Sequence, residues 1–381
     1  MRELDQPIKL PDAKDVGYTG AISGAMMQIV YGDFLTEAGT IPCVHFATNG
    51  GLYYWLVSGK PMKSIGNIYV EGIMEESATD FTIYEDNNLE GLGNIAYLTT
   101  PTDYGYKKIS VDGEGRMDDS SSLNLIEVAS EVFGQVLVDV AEATIATDFE
   151  SSSWALTGQR CILQGYKFAG IIRDNNITVG QLILQMASEW FGDAWIDKNG
   201  KLVTIVDIGT IVEQEIKGTI FQSDLVETSI ILTQRLDDVV NNLLMKYKYD
   251  FTNQRYLGNK DGNEDPTYKD INSINAYGNV PQRTLMFRWV KDDAHISKIK
   301  DVIFTIYAGV PRPYTKLGFR LKDLRRNNIY AGPFVRFSYN KFYKDGVPME
   351  NEVVRIKNIS KDFNRMIIDI TAEDMEVVSN V

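Results

Sequence analysis

The chain has 381 residues, 44% hydrophobic and 24% charged, which excludes the disordered and fibrous classes. Single cores stop growing near roughly 250–300 residues, so this length implies two to four domains. With 52 acids against 38 bases, the net charge of −14 argues against a protein that holds nucleic acid by its phosphates.

In chain order, residues 26–115 read as short strands separated by turns. In GNIYVEGI, Ile68 and Val70 alternate with Tyr69 and Glu71, and YGYKKISVDG gives another strand. Asn49-Gly50-Gly51, Ser58-Gly59 and Asp86-Asn87-Asn88 punctuate this part as turns. Helical spacing follows in NLIEVASEVFGQVL, where Ile126, Ala129, Val132, Phe133 and Val136 share a face. Asn124 and Glu127 predict its capping box. A second helix carries Leu182, Ile183, Met186, Ala187 and Trp190, capped by Thr178 with Gln181 and ended by Gly192. Asn199-Gly200 in AWIDKNGKLVTIVD predicts a two-residue hairpin with both residues at positive φ. It sets Leu202, Thr204 and Val206 on one face and Val203 and Ile205 on the other. Met245, Tyr247 and Tyr249 mark a further strand. The polar stretch 251–283 reads as a long loop. A third helix over 293–308 carries Ile296, Ile299, Ile303 and Ile306. Leu317, Phe319 and Leu321, then Val335, Phe337 and Tyr339, mark tail strands, and a hairpin around Lys361-Asp362-Phe363-Asn364 closes the chain.

Together these elements predict a β-rich α+β chain of several small barrel- or sandwich-like domains with a few packed helices. The expected division is 1–115, β-rich; 116–208, α+β with the hairpin at 194–207; 209–290, strands with the polar loop 251–283; and 291–381, a helix plus a barrel-like segment. The opening MRELDQPIKL has no apolar core of a signal peptide, and no apolar run reaches 18 residues, so no membrane span is expected.

Candidate chemistry is sparse. The only histidines are His45 and His295, and neither sits in a catalytic motif. Cys43 and His45 are two apart and would share a strand face, a spacing that core or interface packing explains far better than a Cys–His pair does. Cys161 is the other cysteine, and no zinc spacing exists. Gly113-Glu114-Gly115 lacks the third glycine of a phosphate loop. Asp261, Asn263 and Asp265 imitate the start of a calcium loop, but Pro266 replaces the required glycine and Asn272 stands where a bidentate Glu belongs. Asp112, Glu114, Asp118 and Asp119 could gather around a cation, though acids beside Gly and Ser are ordinary loop composition. The basic run Lys316, Arg320, Lys322, Arg325 and Arg326 reads as a solvated face. No catalytic, cofactor-binding or metal-binding residue is therefore assigned, and no enzyme is expected.

Several segments resemble the tail hub, or tip attachment, proteins of long-tailed bacteriophages and gene transfer agents. The matching residues are Ile29-Val30-Tyr31-Gly32, Gly59-Lys60-Pro61-Met62-Lys63-Ser64-Ile65 and Ile68-Tyr69-Val70-Glu71-Gly72. Ile109 to Arg116 is similar to the family's "VTVDGKGR" strand, and Asn124-Leu125-Ile126-Glu127-Val128 to its "NLIENPADV" step. Trp195-Ile196-Asp197 with Gly200-Lys201-Leu202, Asp237 to Asn241, and Tyr277-Gly278 fit later positions. The likeness covers nearly the whole chain by pattern.

The resemblance implies a baseplate-hub-like structural virion protein, made in the host cytoplasm and placed at the tail tip. It implies a homotrimer whose partners are the distal tail or tail tube protein, the central spike or fibre and the tape measure protein. It also implies a ring that closes the tube until DNA ejection. Its channel surface should be neutral to acidic, with Arg320, Lys322, Arg325 and Arg326 outside the channel. The alternatives are a virion-associated cell-wall hydrolase, which needs two carboxylates facing a groove, and a carbohydrate-binding tail component using 251–283.

Overall fold

The computed structural model describes the chain except residues 1–3, 9, 11–26, 36–38, 76–79, 90–91, 119–122, 174–175, 198, 210, 212–214, 235, 309–314, 323–333, 345–346, 363–366 and 375–381. Its first strands are β1 (Ile29–Tyr31), β2 (Ile41–Pro42), β3 (Val44–Asn49), β4 (Leu52–Ser58), β5 (Met62–Val70), β6 (Ile73–Met74), β7 (Thr82–Leu89), β8 (Gly93–Thr100) and β9 (Ile109–Arg116). They form two four-stranded sheets, ordered β2-β9-β5-β6 and β3-β4-β8-β7. Burial follows the predicted alternation: Ile68 and Val70 are buried, and Glu71 is exposed.

Helices α1 (Ala129–Ala141), α2 (Ile145–Asp148) and α3 (Ser151–Gln164) follow, then β10 (Gly170–Ile172), α4 (Val179–Glu189), β11 (Gly192–Ile196) and β12 (Leu202–Val206). β10 returns to pair antiparallel with β1. α4 carries the expected capping box: Thr178 Oγ1 accepts from the Gln181 N–H at 3.2 Å, and Gln181 Oε1 accepts from the Thr178 N–H at 2.8 Å. Leu182, Ile183, Met186 and Ala187 are buried beneath it.

Three local expectations are corrected. Asn124 does not cap α1. Residues 124–127 lie outside the helix instead, with Asp118 Oδ1 accepting from the Asn124 N–H, the Arg116 carbonyl from the Ile126 N–H, and Leu125 bridging to Met117. Val128 and Lys167 then bridge, so the helix begins only at Ala129 with no side-chain cap. Tertiary backbone pairing here outweighs a local cap. Nor does Gly192 end α4: Phe191 takes the left-handed turn at φ 55. Gly192 instead opens β11, where a Cβ would stand 1.9 Å from the Ile205 carbonyl oxygen.

The β11–β12 turn also differs. Asp197 N–H donates to the Lys201 carbonyl and Gly200 N–H to the Asp197 carbonyl, so three residues separate the pairing positions. Gly200 has positive φ, at 76°, and Asn199 does not. The face assignment stands: Leu202 and Val206 join the main core, and Ile205 packs on the opposite side. Gly200→Val is expected to cost about 1–3 kcal/mol, because a β-branched side chain fits this conformation poorly. A thermal melt reads the loss.

β13 (Ile216–Phe221), β14 (Ile231–Gln234), β15 (Leu243–Asp250), β16 (Arg255–Asp261), α5 (Ile271–Tyr277), β17 (Arg283–Met286) and α6 (Asp293–Tyr307) continue the chain. The stretch 251–283 is thus not one long loop. It contains β16, hydrogen-bonded to β15, and the short helix α5. β16 escapes a pattern reading because it is a sheet edge with Arg255, Leu257 and Asn259 exposed. β18 (Thr315–Leu321), β19 (Phe334–Lys344), β20 (Val347–Asp362) and β21 (Ile367–Asp374) complete a six-stranded sheet, ordered β13-β19-β20-β21-β18-β14. The pair Asp362–Ile367 closes the predicted last hairpin, whose Phe363 and Asn364 lie outside the described residues. Leu317, Phe319, Leu321, Val335, Phe337 and Tyr339 all point into this sheet's core.

The largest apolar cluster draws on residues from Ile8 to Ile303 and sits among α1, α3, α4 and α6. Glu189, at the end of α4, is buried there. Its two carboxylate oxygens accept the backbone N–H groups of Arg288 and Trp289 at 2.7 and 2.8 Å. Gly170 lets the Trp289 ring lie against β10, since a Cβ there would stand 2.3 Å from it. No described helix is long and apolar enough to cross a membrane.

Candidate functional site

Two places concentrate polar side chains at the junctions between sheets. The first is a joint on Asp139 of α1, whose side chain is only 3% exposed. Tyr31 at the end of β1 donates its hydroxyl to Asp139 Oδ2 at 2.7 Å, and Gln135 donates to Oδ1 at 3.2 Å. Arg116, at the end of β9, brings Nε to 3.5 Å of Oδ2, and Lys60 brings Nζ to 3.6 Å of Oδ1. Burial, then the Asp139 carboxylate, hold the Tyr31 phenol well above its usual pKa, so it stays a proton donor. The neighbouring backbones approach closely. A Cβ on Gly115 would stand 2.7 Å from the Val30 carbonyl oxygen, and one on Gly113 2.4 Å from that of Ser64. The glycines of Gly113-Glu114-Gly115 therefore serve strand packing inside β9.

The second place is a cleft of about 880 Å³ between the β5–β9 sheet and the β15–β16 hairpin. Glu71, Asp112 and Asp250 line it, and Glu71 accepts the Lys108 N–H at 2.5 Å. Asp112 accepts from the Asn67 N–H, the Asn67 amide and the Tyr69 hydroxyl at 2.6, 2.9 and 2.9 Å. Asp250 accepts from the Thr252 N–H at 3.0 Å and the Asn253 amide at 2.7 Å. Gly39, at φ 89, makes room for the Asp250 backbone. The carboxylates hold the cleft walls through in-chain donors.

The remaining candidates fall apart as sites. Asp261 accepts from the Asn263 N–H and Gln282, while Asp265 caps the turn at Thr267. Glu114 meets Lys63 and Ser64. Asp119 lies outside the described residues. Among those described, no group of three or more His, Cys, Asp or Glu is placed to hold a metal. Cys43 donates its backbone N–H to Ile109, and burial pushes its thiol pKa up. His45 lies against Trp55, ring centres 4.9 Å apart. His295 is buried against Tyr166, with its pKa pushed down to about 3 by burial. Of the basic run, Arg320 pairs with Asp369 at 2.5 Å and Lys322 donates to the Ser223 carbonyl. Arg325 and Arg326 lie outside the described residues.

Sequence reasoning missed three charged groups that are buried or half-buried. Arg160 of α3 meets Glu215 at 2.7 Å. Arg355 of β20 clamps Asp207 and Asp193, tying the six-stranded sheet to the β11–β12 hairpin. Lys291 donates to the Tyr249 carbonyl beneath the Phe34 and Phe251 rings. Each partner is distant in sequence, so no local motif announces it.

Fold and site together define a β-rich chain of several small sheets joined by polar contacts at their junctions. No family model and no curated protein matches the sequence. Among solved structures it is similar to prophage tail protein gp18 from Listeria monocytogenes EGD-e, at 12% identity and TM-score 0.36, over 91% of this chain and 94% of that one. It is similar also to a tail protein from Neisseria meningitidis MC58, at 11% identity and TM-score 0.36, over 93% of each chain. A third is the 43 kDa tail protein of prophage MuSo2 from Shewanella oneidensis, at 9% identity and TM-score 0.32, over 98% and 99%.

Proposed function

We propose that the chain is a structural component of a bacteriophage tail: a homotrimeric hub at the distal end. It joins the tail tube or distal tail ring to the central spike or fibre, near the end of the tape measure, and closes the tube until DNA ejection. The observation that supports this is the joint on Asp139. Tyr31, Lys60 and Arg116 come from three separate segments with the hub-like pattern, and all three meet one buried carboxylate. Open sheet edges also suit an assembly part, since β7 and β14 end their sheets among the described strands.

A second reading, cell-wall hydrolysis, has one observation in its favour: three carboxylates, Glu71, Asp112 and Asp250, line one cleft. Their oxygens are occupied by in-chain donors, which favours a structural role. The purified chain is expected to leave peptidoglycan intact. Degradation that is lost in Asp112→Asn would favour the hydrolase over the hub.

A further inference from the structure

The outward side of α3 carries Ser152, Ala155, Gln159, Ile162 and Leu163, all exposed and all on one helical face. Ile162 is 64% and Leu163 80% exposed. A surface helix ordinarily places its charges on that side. At the chain's 24% charged share, the fourteen residues of α3 would carry about three. Its only charge is Arg160, buried on the opposite side against Glu215 and the Val206 carbonyl. Trp154 lies on the other, core-facing side of the helix, where it and Ile145 of α2 pack over Gly134, so the exposed apolar area of α3 is that of Ala155, Ile162 and Leu163. Acids stay at its margins: the Glu150 carboxylate is tied to the Ser152 and Ser153 N–H groups, and Glu131 of α1 lies near Cys161.

We propose that this face of α3 is the seam on which a second copy of the same chain packs. The inference rests on the ring reading and assigns its contact. Charge selects the occupant. A basic partner would be drawn to the acidic remainder of a chain carrying −14. An identical, equally acidic chain is repelled there and approaches at least cost on a charge-free, apolar face. Stable association needs about 800 Å² per partner, so α3 is the centre of a wider contact.

Sedimentation of wild type, Leu163→Asp, Gln159→Glu and Ile73→Asp across a concentration series tests this. Ile73, 73% exposed at the β5–β6 tip, is the control. Wild type and Ile73→Asp should associate alike. Leu163→Asp should associate at least roughly tenfold more weakly, with an unchanged circular-dichroism melt. Gln159→Glu gives the same reading should Leu163→Asp fold poorly. If the α3 variants associate as tightly as a trimeric wild type, the ring stands and this face is not its seam. If wild type is monomeric at every concentration, the ring reading fails together with its seam.

Discussion

Asp139→Ala is expected to destabilise the folded chain by about 3–5 kcal/mol, the usual cost of removing one partner from a buried charge pair. The carboxylate is enclosed, and Arg116 beside it is only 8% exposed on its side chain. Without Asp139 the guanidinium keeps its desolvation cost and loses this counter-charge. Tyr31, fully buried, loses the acceptor of its hydroxyl. Asp139→Asn, which keeps an acceptor for Tyr31, should cost less. Chemical denaturation of both variants checks the order. Equal, small losses would show that the joint contributes little to holding the N-terminal sheets on α1.

The second large effect is a pH dependence. Burial pushes the Glu189 carboxyl up from 4.5 to about 7, against the lowering effect of the Trp289 and Arg288 N–H groups. Between those pH values the folded chain holds a proton that the unfolded chain has released. Glu189's contribution to stability is therefore complete below about 4.5 and is lost as pH rises through about 7. Its span is on the order of 3 kcal/mol. Lys291 works in the opposite sense. Burial lowers its pKa from 10.5 to about 7, so the unfolded chain binds the extra proton between those values. Stability on Lys291's account rises as pH goes from about 7 toward 10.5. The two together place a minimum near neutral pH. Denaturation midpoints measured across this range should lose the acid limb in Glu189→Gln and the alkaline limb in Lys291→Met. A Glu189→Gln profile that keeps the wild-type acid limb would assign that limb to other groups.

Legibility in the sequence followed the range of the interaction. The Thr178–Gln181 capping box and the isoleucine stripe of α6 rest on neighbours three or four residues away, and both were readable. The Leu317–Phe319–Leu321 alternation was readable for the same reason. Asn124 was misread because its segment bonds Arg116 and Asp118, and the next residues bond Lys167 and Phe168. β16 was missed because an exposed edge strand has the polar composition of a loop. In β15 the alternation is broken at Lys248, which takes φ 56 and donates its N–H to the Val290 carbonyl. The joint itself was invisible to spacing: Tyr31 lies 108 residues from Asp139. What the pattern did carry was the set of segments that supply Tyr31, Lys60 and Arg116, without the carboxylate on which they meet.

The most direct test of the hub reading is the mass of the purified, unmodified chain by sedimentation equilibrium. A hub ring predicts a closed association of three 42.9 kDa chains, stable on dilution into the micromolar range. A chain that stays at 42.9 kDa at every concentration, or that grows into open polymers with no closed trimer, contradicts it.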